Sequence, residues 1–193
     1  MTLERLSSLN LPLYNQAINL YKNSFPLEER RDDTEQERVL KKQAYHFDLI
    51  MDNGRFLGVM LYWEHDNFIF LEHFTTLPEV RGNGYGEKAL TLLKARNKTI
   101  ILEIEPPVDE LTTRRYRFYN RNGFLINPYY HIQAKYHLGD EDLELKILTY
   151  PSVLTEQEYN GFYEYMTREI GILPNKSNDI TIRPMQDGDD SHF

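Results

Sequence analysis

Residues 81–86, Arg-Gly-Asn-Gly-Tyr-Gly, have the spacing in this sequence that points most directly to a ligand. Gly82, Gly84 and Gly86 alternate, so successive backbone N–H groups can turn into one concavity, and such a concavity binds anions. Several phosphate ligands would suit it, and the flanking residues narrow the choice. A nucleoside-triphosphate loop needs Gly-Lys-Ser/Thr, whereas the chain continues Gly86-Glu87-Lys88-Ala89 and offers no hydroxyl for magnesium. A dinucleotide fingerprint needs its third glycine three residues after the second, whereas Gly84 and Gly86 are two apart. The charge around the loop favours an anion. The chain carries a net charge of −8, yet residues 81–98 hold five cations against Glu87 alone, and residues 111–121 hold Arg114, Arg115, Arg117 and Arg121 with no acid. Two basic stretches on an acidic protein suit a local anion site better than general nucleic-acid binding.

The elements around the loop are legible from pattern. Three apolar runs, 46–51, 56–63 and 68–76, are separated by Asp52-Asn53-Gly54 and by residues 64–67, as in an antiparallel meander whose third strand feeds the loop. Ala89, Leu90, Leu92 and Leu93 then mark an amphipathic helix, and residues 99–105 a buried strand, so strand, loop, helix and strand form a βαβ unit. Upstream, residues 2–7 suit an opening strand. Tyr14, Ala17, Ile18, Tyr21 and Phe25 define a helix face that ends at Pro26, and Asp33 with Gln36 would cap a second helix. Downstream, Pro106-Pro107 precedes a basic helix over about 110–121 that stops at Asn122-Gly123. A hairpin of 124–137 and 143–150 follows, then a helix with Thr155 and Glu158 as capping box, an apolar face at Tyr159, Phe162, Tyr163, Met166 and Ile170, and a stop at Gly171. The polar remainder contains one strand-like stretch, 180–185. The 193 residues suit one domain with an appendage: 1–150 as the main domain, 151–171 as a helical extension and 172–193 as a loose tail. With no cysteine there is no disulfide framework or thiol nucleophile, and a mean hydropathy of −0.61 argues against a membrane span. The opening residues lack the basic and long apolar segments of a secretion signal, so the cytoplasm is the default location.

Arg81, Gly84 and Gly86 fill the pattern Arg-x-x-Gly-x-Gly between a strand and a helix, and this resembles the acetyl-CoA loop of the GNAT superfamily of N-acetyltransferases. Residues 118–124, Phe-Tyr-Asn-Arg-Asn-Gly-Phe, are similar to that family's later Tyr-x-x-x-Gly-Phe motif, and with the meander and hairpin the resemblance covers about residues 1–150. It implies an α/β (α+β) GNAT fold: a mixed, mostly antiparallel sheet flanked by helices, with the βαβ unit binding acetyl-CoA as co-substrate and no metal. It also implies roles. Phe74, Thr75 and Thr76 would hold the pantetheine arm, and Arg81, Gly82, Asn83, Gly84, Tyr85 and Gly86 the pyrophosphate. Tyr119 would protonate the departing thiolate, since a tyrosine with a reference pKa near 10 is protonated at neutral pH. Glu72 would deprotonate the amine, and Glu103 or Glu105, sharing a face at the two-residue strand period, could supplement or replace it. His73 should point to the opposite face from Glu72 and serve packing. One departure concerns Thr112, which stands where many members have an asparagine. Residues 24–30 are similar to a segment bordering the acceptor site in some branches. The expected function is transfer of an acetyl group to a primary amine of a small-molecule or peptide acceptor, with no nucleic-acid or membrane partner; a homodimer is compatible with the sequence. The alternative is a non-catalytic GNAT-like module that binds CoA or a protein.

Overall fold

A computed structural model describes residues 1–6, 13–133, 135–137 and 142–170. The Gly171 stop, the tail and the 180–185 strand lie outside them. The chain divides into two compact units, Met1–Ile101 and Leu102–Phe193, and the division falls within one strand.

In the first unit, β1 (Thr2–Arg5), β2 (Tyr45–Asp52), β3 (Arg55–Glu64) and β4 (Phe68–Thr76) pair in order as antiparallel neighbours. The β2–β3 hairpin turns on Asn53 and Gly54, with φ of 49° and 77°, the left-handed backbone that suits a tight hairpin. Phe56 to Trp63 are all buried, so both faces of β3 are covered. α1 (Tyr14–Ser24) packs on β3 and β4 through the predicted face, with Ala17, Ile18, Leu20 and Tyr21 buried. α2 (Asp33–Val39) starts one residue earlier than its predicted cap implies. Asp32 accepts the Glu35 N–H at 2.8 Å; Asp33 is drawn instead to Lys22 at 2.6 Å, and Gln36 is buried against the Tyr45 hydroxyl. α3 (Tyr85–Lys94) packs on β1 and β4. The parallel ladder of β4 with β5 (Thr99–Ile104) runs from Phe68 against Thr99 only as far as Phe70 against Ile101, so β4 runs on towards the glycine loop beyond that ladder.

The second unit begins inside β5, whose neighbour in the sheet order is β8 (Glu144–Tyr150); β6 (Leu125–Ile126) and β7 (His131–Ile132) both pair with β8. The strand expected over 124–137 is therefore two short pieces. Asn127 causes the break: its Nδ2 donates to Leu125 O at 3.2 Å and Thr149 Oγ1 at 2.7 Å, and its Oδ1 accepts the Leu154 N–H at 2.8 Å. Pro128 follows and lacks an N–H for the ladder. α4 (Glu110–Arg121) ends on Gly123 at φ 80°, as the sequence predicts. α5 (Glu156–Tyr165) has the expected Thr155–Glu158 capping box and buries Tyr159, Phe162 and Tyr165. The whole is a mixed α/β fold with an open, mostly antiparallel sheet flanked by helices.

Candidate active site

The glycine loop has the predicted form. Gly82 and Gly84 sit at φ 81° and 75°, which L side chains rarely adopt, and Gly84 is the residue before the first turn of α3. No side chain caps that turn, and the first intrahelical bond is Lys88 N–H to Gly84 C=O at 3.1 Å, leaving the amides of Tyr85, Gly86 and Glu87 ahead of it. A Cβ built at Gly82 or Gly84 would meet nothing within 4 Å, so the concave side is open. Arg81 Nε donates to Thr76 O at 3.3 Å, which ties the loop to the end of β4, and Asn83 Nδ2 donates to Val80 O at 3.3 Å in the turn between them. Helix-end dipole and exposed amides together favour a phosphate here.

Phe74, Thr75 and Thr76 are half-buried on β4, opposite Met60, Val59 and Gly58. Gly58 is required: a Cβ there would lie 2.4 Å from Thr75 O and 2.8 Å from Thr76 Cα. Glu72 occupies an unforeseen position. Leu61 pairs with His73 and Tyr62 with Leu71, so Glu72 is the extra residue of a β-bulge, and its side chain lies beside that of His73 instead of across the sheet. This corrects the expectation of opposite faces. Both side chains meet residues 21–31: His73 Nε2 is 2.7 Å from Glu29 O and its ring packs on Tyr21 and Phe25, which agrees with a packing role. Glu72 forms a two-pronged pair with Arg31, 2.7 and 2.6 Å, and accepts Trp63 Nε1–H at 3.2 Å. The pair is sealed, with side-chain exposures of 4% for Arg31 and 1% for Glu72. A carboxylate so engaged must give up existing hydrogen bonds before it can take a proton from a substrate.

In the second unit, Tyr119 is buried between Phe118 and Phe124 at the end of α4, and burial pushes its hydroxyl up to about 12. It is therefore protonated throughout the neutral range, as a proton donor must be. Thr112, the departure from the family pattern, has structural work: its Oγ1 accepts the Asp109 N–H at 3.1 Å while Asp109 Oδ1 accepts the Thr112 N–H at 2.7 Å, a reciprocal cap that also holds the Asp109 carboxyl below its usual range. Glu103 and Glu105 have separate employments. Glu105 pairs with Arg115 at 2.6 Å on a half-exposed surface, whereas Glu103 Oε1 meets His131 Nε2 at 2.5 Å. His131, fully buried, reaches the Tyr159 hydroxyl through Nδ1 at 3.0 Å. Arg31 and His131 carried no spacing signal, and the patterns that held Trp63 and Tyr159 marked only a packed strand and a helix face; the segment similar to an acceptor-site border stopped one residue short of Arg31.

The profile of the acetyltransferase (GNAT) family matches residues 12–124, more than half of the chain. The chain belongs to that family. A curated relative, "Putative acetyltransferase YjbC" of Bacillus subtilis (strain 168), is 38% identical over 105 residues, which is 52% of each chain, so this chain spans about half the length of that relative in the match. A solved structure described as "Putative acetyltransferase from GNAT family from Bacteroides thetaiotaomicron" is 29% identical with a TM-score of 0.81, covering 87% of this chain and 97% of that one. An aminoglycoside 6′-N-acetyltransferase complexed with coenzyme A shares the fold at 15% identity and a TM-score of 0.53, covering 77% of this chain and 96% of its own. For a GNAT chain the open glycine loop lies in the expected strand–loop–helix context. Among the described residues no helix is long and apolar enough to cross a membrane, and no three acidic or histidine side chains group as a metal site.

Proposed function

We propose that the protein transfers an acetyl group from acetyl-CoA to a primary amine, and the observation that carries this reading is the uncapped, glycine-opened start of α3 at the end of β4. The Tyr85, Gly86 and Glu87 amides and Arg81 take the pyrophosphate, and the Phe74–Thr76 backbone takes the pantetheine arm. Direct attack balances simply. The ammonium form of the acceptor loses one proton to a carboxylate, its nitrogen bonds the acetyl carbon, and the C–S bond breaks. Tyr119 gives its hydroxyl proton to the thiolate and recovers the one that the new amide nitrogen sheds. The raised proton affinity of Tyr119 supports this part, because a neutral hydroxyl is present at every working pH.

For Glu72 the surroundings support anchoring over proton acceptance. Its two oxygens hold Arg31 and Trp63, which pins residues 25–31 to β4, and that segment is where acceptor contacts would arise. The acceptor class follows from charge: outside the basic stretches the chain is strongly acidic, which suits a cationic amine. The test is an acetylation assay following thiol release over polyamines, amino acids, aminoglycosides and peptide N-termini. At least one amine should raise thiol release above the acetyl-CoA blank in proportion to enzyme. Release that no amine accelerates would remove the reading.

A further inference from the structure

Within the second unit, α4 presents a line of positive charge to solvent. Its buried residues, Thr112 and Tyr119, mark the inner line of the helix. At about 3.6 residues per turn, positions 114, 117 and 121 fall within about 60° of one another on the opposite line, and all three arginines there are exposed. Arg115 lies on the flank and pairs with Glu105 at 2.6 Å, whereas among the described residues Arg114, Arg117 and Arg121 form no ion pair. Arg121 stands over the Phe118 ring, 5.1 Å from its centroid, which steadies the guanidinium without neutralising it. Glu110, in the first turn, is the one acid of the helix. The stripe has a cost, because Arg114 with Arg117 and Arg117 with Arg121 are like charges three and four residues apart, which weakens a helix. Packing and capping do not require it: α4 is held by Thr112 and Tyr119 on its inner line and by the Asp109–Thr112 cap.

We propose that this stripe docks an acidic segment of the chain's own tail, Asp187-Gly188-Asp189-Asp190. The inference is independent of the acetyltransferase reading. Charge and length both match. The segment sets three carboxylates against three guanidiniums, with no cation among its residues. A run of four extended residues covers about 10 Å, and Arg114 to Arg121 covers about 10 Å of helix at roughly 1.5 Å per residue. Reach is no obstacle: the described residues end at Ile170, and the stretch from there to Asp187 can span up to roughly 55 Å. Exposed ion pairs are individually weak, but covalent attachment raises the local concentration of the segment, so three of them suffice for docking at low salt. A long nucleic-acid strand fits the surface less well, since it would run past the stripe over a chain that is strongly acidic outside its basic stretches.

The test uses the full chain, which has no cysteine, so Ser191→Cys supplies a single thiol for a nitroxide beside the segment. In ¹⁵N spectra at low salt the nitroxide should selectively broaden the backbone amides of residues 114–121. The broadening should be independent of protein concentration and should fade near 1 M salt, where charges are screened beyond about 3 Å. Asp187→Asn, Asp189→Asn and Asp190→Asn together should abolish it, and so should Arg114→Gln, Arg117→Gln and Arg121→Gln together. Exchanging the signs, with Asp187→Arg, Asp189→Arg and Asp190→Arg opposite Arg114→Glu, Arg117→Glu and Arg121→Glu, should restore it, which a variant that merely failed to fold could not do. Absence of selective broadening in the labelled parent at low salt would overturn the proposal, as would broadening that survives either neutralising triple substitution. Broadening passed from nitroxide-bearing copies to unlabelled ¹⁵N copies would assign the stripe to a contact between two molecules. Displacement of the segment by an equimolar short single-stranded oligonucleotide at physiological salt would assign it to nucleic acid. Either result overturns the intramolecular contact.

Discussion

Glu72 and Glu103 are both strand carboxylates with different partners, a buried arginine for the first and a buried histidine for the second. A buried ion pair broken on one side leaves an uncompensated charge, so Glu72→Gln should cost about 3–5 kcal/mol in denaturant unfolding. The same variant, where folded, should keep the acidic limb of the pH–rate profile. Replacing Arg31 and Glu72 together with apolar residues should recover much of the lost stability, because no orphaned charge then remains. A Glu72→Gln protein as stable as wild type but lacking the limb would return Glu72 to the role of base. Tyr119→Phe should lower turnover by about 100-fold with acetyl-CoA affinity little changed, as expected for loss of a general acid. The same hydroxyl affects alkaline stability. Its native proton affinity, about 12, exceeds the ordinary tyrosine value near 10, so the folded state holds the proton longer. The stabilisation it supplies is complete below pH 10 and is lost as pH rises from 10 towards 12. Tyr119→Phe should therefore flatten the fall in stability over that window, and an unchanged slope would show that the hydroxyl is not desolvated.

At the level of elements, the glycines separate two kinds of constraint. Gly84 is needed for its backbone angle and not for space, so Gly84→Ala should cost about 1–2 kcal/mol and weaken acetyl-CoA binding by turning the α3 amides. Gly58 is needed for space: Gly58→Ala would force β3 from Thr75 and Thr76, lowering the melting temperature and loosening the proposed pantetheine segment together. A melting temperature equal to wild type would contradict the close approach. The elements that the sequence made legible are those specified locally, such as the meander with its Asn53-Gly54 turn, the loop of Gly82 and Gly84, and the capping box of α5. The missed features depend on partners distant in sequence. Arg31 and Glu72 are 41 residues apart, and Glu103 and His131 are 28 apart. The bulge at Glu72 reverses the face that strand alternation assigns to His73, and Asn127 halts a strand through side-chain bonds to Thr149 and Leu154. No periodicity reports such contacts, because each is set by the packed fold.

For the molecule as a whole, net charge and local charge act in different directions. A chain of net charge −8 carries a locally basic stretch in the glycine loop with α3, so binding of an anionic CoA ligand should weaken as salt rises. The alternative of a non-catalytic module rested on Thr112 and on the charged tail; Thr112 has a part in the α4 cap, and the tail lies outside the described residues. The central claim is that the start of α3 holds the phosphates of a CoA thioester. Titration calorimetry of the full chain with acetyl-CoA, CoA and ATP tests it most directly. The account predicts saturable one-site binding of acetyl-CoA and CoA, weakened in Gly84→Ala, with ATP unable to displace either at equal concentration; no heat from acetyl-CoA or CoA would contradict it.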